Sequence, residues 1–251
     1  MVKAKKSLGQ HFLTDLSAAE RIVNALDEVE DKCVLEIGPG EGVLTQYLVQ
    51  KDIDLSVIEL DRESISHLNA RFPYLGEKLI HADFLKWTIP TEQITLIGNF
   101  PYNISSQIVF KMIEHRQTVK GLIGMFQKEV AERIVSPPGS RAYGILSVFT
   151  QAYYEGEYLF TIEPEAFRPP PKVRSGVIRL RRKEDISIDC DEKAFVGIVK
   201  LAFNQRRKMM RNSLKSMITE ENEPTLGKYL TQRPEQLSPS DFMELTRLLK
   251  P

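Results

Sequence analysis

Cys33-Val34-Leu35-Glu36-Ile37-Gly38-Pro39-Gly40-Glu41-Gly42 is the stretch that decides the fold class. The run from Cys33 to Ile37 is short and mostly apolar, which reads as a strand buried on both faces, with Cys33 as a small core residue. Glycines at 38, 40 and 42 then let the backbone turn sharply and let a ligand approach with no Cβ in the way. A helical pattern follows over residues 41–50, through Val43, Leu44, Tyr47 and Leu48. Strand, glycine turn and helix in that order open an α/β sheet whose ligands bind outside the carboxyl ends of its strands.

Working outward, the same alternation continues. Ser56-Val57-Ile58-Glu59-Leu60 reads as a second strand, followed by a helix over residues 62–71. Residues 79–82, 94–98 and 121–126 read as further strands, and Ile104, Ile108, Val109, Met112 and Ile113 place one apolar face on a helix between the last two. The alternation implies a Rossmann-like α/β sheet, mostly parallel and covered on both faces. Residues 154–162 and 175–182 are two more strands joined only by a proline-rich link, Pro164 and Pro169-Pro170-Pro171, which suits an antiparallel strand at the sheet's end. Residues 184–191 are polar and acidic and read as a linker. Beyond them Phe195, Ile198, Val199, Ala202 and Phe203 share a helix face, and Ser238-Pro239-Ser240-Asp241 carries the marks of a helix start. The expected division is therefore residues 1–184 as a catalytic domain and residues 185–251 as a small helical domain.

The 251 residues are 42% apolar and 27% charged, an ordinary globular balance with no run long enough for a membrane span. Two cysteines without metal-ligand spacing point to a reduced, cytoplasmic protein with neither a disulfide framework nor a metal site. The basic opening stretch, with Lys3, Lys5 and Lys6, lacks the apolar core of a secretory signal. Charge sums to zero, 34 basic against 34 acidic, but is unevenly spread. Residues 172–183 and 200–215 each carry six basic residues and no acid, whereas acids gather between Asp27 and Glu63. Such basic segments are what a polyanion needs, although charged runs are often only a solvated face.

A nicotinamide fingerprint requires glycine at 38, 40 and 43, and position 43 is Val. Glu36 and Glu41 flank the loop, Glu59 ends the second strand, and Asp83 follows the third. A carboxylate at Glu59 suits ribose hydroxyls, and Asp83 is placed to meet an adenine amine. An acid-rimmed pocket favours the cationic, phosphate-free S-adenosylmethionine over a pyrophosphate. At the end of the fourth strand stands Asn99-Phe100-Pro101-Tyr102. An exocyclic adenine amine is a poor nucleophile because its lone pair is delocalised. Accepting both its N–H bonds, by the Asn99 oxygen and the Phe100 carbonyl, turns that lone pair outward. Pro101 stiffens the turn, and Tyr102 offers a face for an unstacked base.

On these residues the chain resembles the ribosomal small-subunit RNA adenine dimethylases, relatives of the erythromycin-resistance methylases and the mitochondrial transcription factor B proteins. The resemblance spans essentially the whole length. It rests on Ser7-Leu8-Gly9-Gln10-His11-Phe12-Leu13, Glu36-Ile37-Gly38-Pro39-Gly40-Glu41-Gly42, Glu59-Leu60-Asp61, Ala82-Asp83-Phe84, Asn99-Phe100-Pro101-Tyr102 and Ala166-Phe167-Arg168-Pro169-Pro170-Pro171-Lys172-Val173. It implies cofactor contacts at His11, Leu13, Gly38, Glu59, Asp83 and Asn99, with the opening segment folded over the cofactor. It also implies that Phe167 is a second aromatic platform opposite Tyr102; read from its neighbours alone, Phe167 is a core residue beside a proline-rich turn. The family's commonest tetrapeptide has Leu where this chain has Phe100, a position that works through its carbonyl.

The implied activity is S-adenosylmethionine-dependent dimethylation of N6 on two adjacent adenosines near the 3′ end of small-subunit rRNA, during ribosome biogenesis. The implied partner is a precursor of the small ribosomal subunit, met by a monomer whose helical domain and two basic segments contact RNA phosphates. Three alternatives stand beside it: a large-subunit resistance methylase, a catalytically idle assembly or transcription factor, and a small-molecule or protein-glutamine methylase. The 9–13 and 167–173 segments favour the small-subunit enzyme over the first. Intact Glu59, Asp83, Asn99 and Tyr102 argue against the second, and the basic segments have no purpose in the third.

Overall fold

The computed structural model describes residues 2–5, 8–29 and 32–249, so Lys6 and Ser7 lie outside the described residues. In chain order its strands and helices are β1 (Phe12–Leu13), α1 (Leu16–Asn24), β2 (Cys33–Ile37), α2 (Thr45–Leu48), β3 (Asp54–Glu59), α3 (Arg62–Arg71), β4 (Leu79–His81), β5 (Ile94–Asn99), α4 (Ser105–Glu114), β6 (Val119–Gln127), α5 (Lys128–Val135), α6 (Ile145–Tyr153), β7 (Tyr154–Ile162), β8 (Phe167–Arg168), β9 (Ser175–Arg182), α7 (Glu192–Asn204), α8 (Met210–Ser213), α9 (Glu223–Leu230) and α10 (Pro239–Leu249). They fall into two compact units, Met1–Ala131 with Gly156–Arg182, and Glu132–Glu155 with Lys183–Pro251.

The first unit is built on a seven-stranded sheet of order β4-β3-β2-β5-β6-β9-β7. β2 pairs in parallel with both β3 and β5, and the parallel ladder runs on to β4 on one side and β6 on the other. Val34, Leu35, Val57, Ile58, Leu96, Ile97, Leu122 and Ile123 are all buried, as a sheet covered on both faces requires. β9 runs antiparallel to β6, from Gly121↔Arg181 to Gln127↔Ser175. The two strands joined by the proline-rich link, β9 and β7, thus lie together at the sheet's end, with β7 outermost. α4 buries Ile108, Val109 and Met112, the face read from the sequence. α2 is shorter than its apolar pattern, because Gly42 has φ +79° and a helix starts only beyond it.

In the second unit, the sequence boundary at 184 misses a contribution from earlier in the chain. α6 is apolar nearly all round, burying Leu146, Val148, Phe149, Ala152 and Tyr153. Its Phe149 meets Phe195 of α7 edge to face at 5.9 Å, and the Tyr143 hydroxyl donates to the Leu237 carbonyl at 3.0 Å. A helix buried on all sides packs where its partners are, and these come from more than forty residues downstream. The expected helix start at Ser238 is present: Ser238 N–H donates to Asp241 Oδ2 at 2.8 Å and Asp241 N–H to Ser238 Oγ at 3.1 Å.

The two basic segments fare differently. In residues 172–183 most of the charge is spent within the fold. Arg179 is 4% exposed and pairs with Glu157 at 2.6 Å and Glu28 at 2.7 Å; Arg181 also meets Glu28 at 2.7 Å. Arg182 donates to the carbonyls of Arg116 and Gln117, and Lys183 to that of Gln151. The expectation of a phosphate-binding stretch there is corrected, with only Lys172 and Arg174 left as exposed cations that hold neither a short ion pair nor a carbonyl. In residues 200–215, Lys200, Arg207, Lys208, Arg211 and Lys215 are exposed, Arg211 being paired with Glu223.

Two interior sites carry stability. Gly98 and Gly124 face one another across β5 and β6, and the Phe100 ring, 1% exposed, packs over both. A Cβ on Gly124 stands 2.2 Å from that ring and 2.8 Å from Phe126. Glu36 on β2 is 1% exposed, and the Thr45 hydroxyl donates to its Oε2 at 2.7 Å. Burial pushes the Glu36 carboxyl from the ordinary 4.5 up to about 8, against the Thr45 hydrogen bond and with help from the charge of Glu59.

Gly124→Ala is expected to destabilise the protein by ~1–3 kcal/mol through overpacking, and adding Phe100→Leu to recover part of that loss in denaturant melts. For Glu36, the folded state holds a proton that the unfolded chain releases between pH 4.5 and about 8, so this group's contribution to stability is full below 4.5 and fades as pH rises to 8. Glu36→Gln should therefore melt near the parent at acid pH and several degrees above it at pH 8.

Candidate active site

The parallel order β4-β3-β2-β5 sets four strand ends side by side, and the loops leaving them wall a cleft of about 230 Å³. Its lining includes Gly38 and Gly40 after β2, Glu59 and Leu60 at the end of β3, Asp83 and Phe84 after β4, and Asn99 to Ile104 after β5. Gly38 and Gly40 hold φ of +67° and +57°. At Gly40 a Cβ would stand 2.7 Å from the Phe12 ring, so the loop needs glycine both for its backbone and for the chain lying over it.

That overlying chain is the opening segment. Val2 N–H donates to Glu41 Oε1 at 2.8 Å, Lys3 N–H to Glu63 Oε1 at 3.2 Å, and Lys5 pairs with Asp61. β1 pairs antiparallel with β8, matching Phe12 to Arg168 and Leu13 to Phe167. Arg168 closes the ring by an ion pair to Glu41 Oε2 at 2.7 Å. Glu41 thus ties the glycine loop to both ends of the cover. Of the basic side chains in the opening stretch, that of Lys5 is anchored by Asp61, one of the acids enriched between Asp27 and Glu63.

Glu59 is 6% exposed, and its carboxylate accepts from the main-chain N–H groups of Gly40 at 3.1 Å, Leu60 at 2.7 Å and Asp61 at 2.8 Å. Burial raises its pKa, and these N–H donors pull against that. A carboxylate offers about four lone-pair sites, so roughly one remains for a ligand hydroxyl. Asp83 accepts from Leu85 N–H at 3.0 Å through Oδ1. The Asn99 side-chain amide donates to the His11 carbonyl at 2.9 Å. That bond fixes which end of the amide is nitrogen and leaves Oδ1 as the acceptor. His11 Nδ1 lies 2.7 Å from the Pro169 carbonyl, which only accepts, so the proton is on Nδ1. The His11 ring stacks on Tyr102, centroids 5.5 Å apart at 28°. The Tyr102 hydroxyl shares a 2.6 Å hydrogen bond with Ser175, and burial raises its pKa.

His11, Gly38, Glu59, Asp83, Asn99, Phe100, Pro101 and Tyr102 are thus brought together around one cleft. Two expected members stand apart. Leu13 is 3% exposed in the core and lines a smaller cavity beside Glu36, Gly38 and Asn99. Phe167 is 4% exposed, packs in the core on the strand paired with Leu13 and is not among the residues lining the cleft, where the aromatic beside Tyr102 is His11. The Phe100 ring turns into the interior, so the departure from Leu leaves the cleft mouth to other residues. Sequence reading overlooked Glu41's double tie, Ser175 behind Tyr102, and Leu60, 48% exposed at the cleft. Nothing in the spacing of Glu41 and Ser175 marks them, since each acts on a segment distant in the chain.

S-adenosylmethionine fits these residues. Glu59 is a partly satisfied buried carboxylate at the end of β3, Asp83 is an acceptor at the neighbouring strand end, and Gly38 presents backbone without a Cβ. Among the described residues no cluster of His, Cys, Asp and Glu is arranged to hold a metal ion, and no helix is long and apolar enough to cross a membrane.

Comparison with known proteins agrees with this geometry. A family described as ribosomal RNA adenine dimethylase matches residues 1–248. Ribosomal RNA small subunit methyltransferase A of Porphyromonas gingivalis is 52% identical, covering 99% of this chain and 98% of its own length. The protein of that name from Flavobacterium johnsoniae is 51% identical, covering 99% and 97%. Among solved structures, a dimethyladenosine transferase from Plasmodium falciparum superposes with a TM-score of 0.80 at 26% identity, over 94% of this chain and 96% of the other. The 23S rRNA methyltransferase ErmE superposes at 0.75 with 25% identity, over 96% and 100%. With the glycine loop, the strand-end acids and the Asn99 tetrapeptide meeting in one cleft, and with a family match across nearly the full length, the chain belongs to the ribosomal RNA adenine dimethylase family.

Proposed function

We propose that this enzyme transfers methyl groups from S-adenosylmethionine to N6 of two adjacent adenosines near the 3′ end of small-subunit rRNA, on a precursor of the small ribosomal subunit in the cytoplasm. The observation that carries the reading is the Asn99 amide, held by the His11 carbonyl so that its oxygen is free to accept at the cleft. Identity of 52% to a small-subunit methyltransferase, against 25% to a large-subunit one, favours the small subunit as target.

S-adenosylmethionine, when bound, supplies the electrophilic methyl group. Glu59 accepts from the ribose and Asp83 from the adenine amine, while Gly38 gives the ligand a close backbone approach. The Asn99 oxygen and the Phe100 carbonyl accept the two N–H bonds of the target amine, turning its lone pair towards the methyl group. Pro101 fixes that turn, and Tyr102, braced by Ser175, offers its face to the flipped base. No strong base is needed, because the amine becomes acidic once alkylated. In the second unit the exposed Arg207, Lys208 and Lys215 are the RNA-phosphate contacts.

Incubation of undermethylated small subunits with labelled cofactor, followed by mapping of the modified bases, tests the whole reading: label outside paired adenosines near the 3′ end overturns it. Asn99→Ala should cut methyl transfer by about 10²-fold or more and leave cofactor affinity within a small factor, whereas Glu59→Ala should chiefly weaken cofactor binding. Neutralising Arg207, Lys208 and Lys215 to Gln should weaken particle binding and flatten its dependence on salt, by a slope of roughly 0.7–0.9 for each phosphate no longer neutralised.

A further inference from the structure

Lys111, half-buried on α4, spends its ammonium on the main chain of a different loop. Its Nζ donates to the carbonyls of Phe84 at 2.6 Å and Leu85 at 3.1 Å, and to that of Trp87. An ammonium has three hydrogens and no acceptor, so its donors are committed to this single turn. The Phe84 ring, 4% exposed, lies 5.0 Å from the same nitrogen. Burial lowers the Lys111 pKa, with the charges of Glu114 and Asp83 opposing.

The turn it grips begins at Asp83. Asp83 Oδ1 accepts from Leu85 N–H at 3.0 Å, and the Asp83 carbonyl accepts from the N–H groups of Lys86 at 3.0 Å and Trp87 at 2.9 Å. Asp83 thus closes the amino end of a turn that no helix continues, and carbonyls are left without successors at the other end. Lys111 supplies those carbonyls with donors, much as a basic side chain does at a helix C-terminus. With Oδ1 used inside the turn and Oδ2 3.9 Å from Lys86, beyond hydrogen-bond length, Oδ2 is the oxygen left for a ligand in the cleft. Its direction depends on the shape of the turn, and that shape depends on both side chains.

We propose that Lys111 is a positioning residue for cofactor recognition: by gathering the carbonyls of the 84–87 turn it aims Asp83 at the exocyclic amine of the adenine of S-adenosylmethionine. The inference rests on the assignment of Asp83 to the cofactor. It predicts that Lys111, which reaches the turn from a neighbouring helix through main-chain carbonyls, governs selectivity for the amine without touching it. A site built to hydrogen-bond a substrate amine rejects the analogue that lacks it.

The test is calorimetric binding of S-adenosylhomocysteine, and of the analogue whose purine lacks the amine, to four full-length proteins: parent, Lys111→Met, Asp83→Ala and the double variant. The parent should prefer the amine-bearing compound. Lys111→Met should lose about tenfold in affinity for that compound and most of the preference, with little change for the analogue. Added to Asp83→Ala, it should cost less than about twofold, because the two act through one hydrogen bond. Lys111→Arg, which keeps charge and donors, should restore much of the preference. Should Lys111→Met fail to fold, Lys111→Gln, which keeps a donor and most of the stem, carries the same comparison. Unchanged preference in the folded Lys111 variant, or an equal loss for both compounds and in the Asp83→Ala background, overturns the proposal. If Asp83→Ala itself bound both compounds as the parent does, the assignment of Asp83 would fail first and the two failures would be told apart.

Discussion

The parallel pairing of β2 with β3 on one side and β5 on the other is the constraint on which the remaining structure depends. Glu36 stands opposite both Val57 and Ile97, so the three strands end level and their loops emerge at one edge. A slip of one residue in either ladder would turn every buried side chain to the other face. Val34, Leu35, Val57, Ile58, Leu96 and Ile97 are buried, as strands covered on both faces require. The same register carries the Glu36 carboxyl into the interior beside Glu59, where burial favours its neutral form.

Charge is organised by a second layer of constraint. The chain is neutral overall, with acids early and basic residues late. Folding pairs many of them across that distance: Glu41 with Arg168, and Glu28 with Arg179 and Arg181. Most such pairs are partly exposed and worth little singly. Their effect is on placement, since Glu41 fastens the glycine loop to the opening segment and to β8 together. In the second unit Arg207, Lys208 and Lys215 remain exposed, so a chain of zero net charge still keeps cations at its surface.

Packing behind the tetrapeptide shows how one departure from a family pattern is absorbed. Phe100 occupies the space that Gly98 and Gly124 leave by lacking side chains, and its ring meets Phe126 edge to face at 5.2 Å. The larger residue is accommodated behind the sheet edge, while the position's carbonyl remains part of the backbone turn stiffened by Pro101. Asn99 is steadied from the opposite side, through the His11 carbonyl, so the proposed methyl-acceptor pocket is shaped by both core packing and the overlying segment.

What the sequence determined by itself was local: the apolar runs of the strands, the glycines at 38, 40 and 42, the acids at strand ends, and the tetrapeptide at 99–102. These are legible because a strand, a turn and a helix each write their period or their backbone demand into consecutive residues. Only the tertiary structure decided which distant pieces meet. It drew residues 132–155 into the second unit, spent Arg179, Arg181 and Arg182 on internal partners, buried Phe167 against β1, put His11 over Tyr102, and set Lys111 under the Asp83 turn. The physical reason is that each of these arrangements joins groups far apart in the chain, and a partner's identity is set by the path of the fold, which no local spacing records.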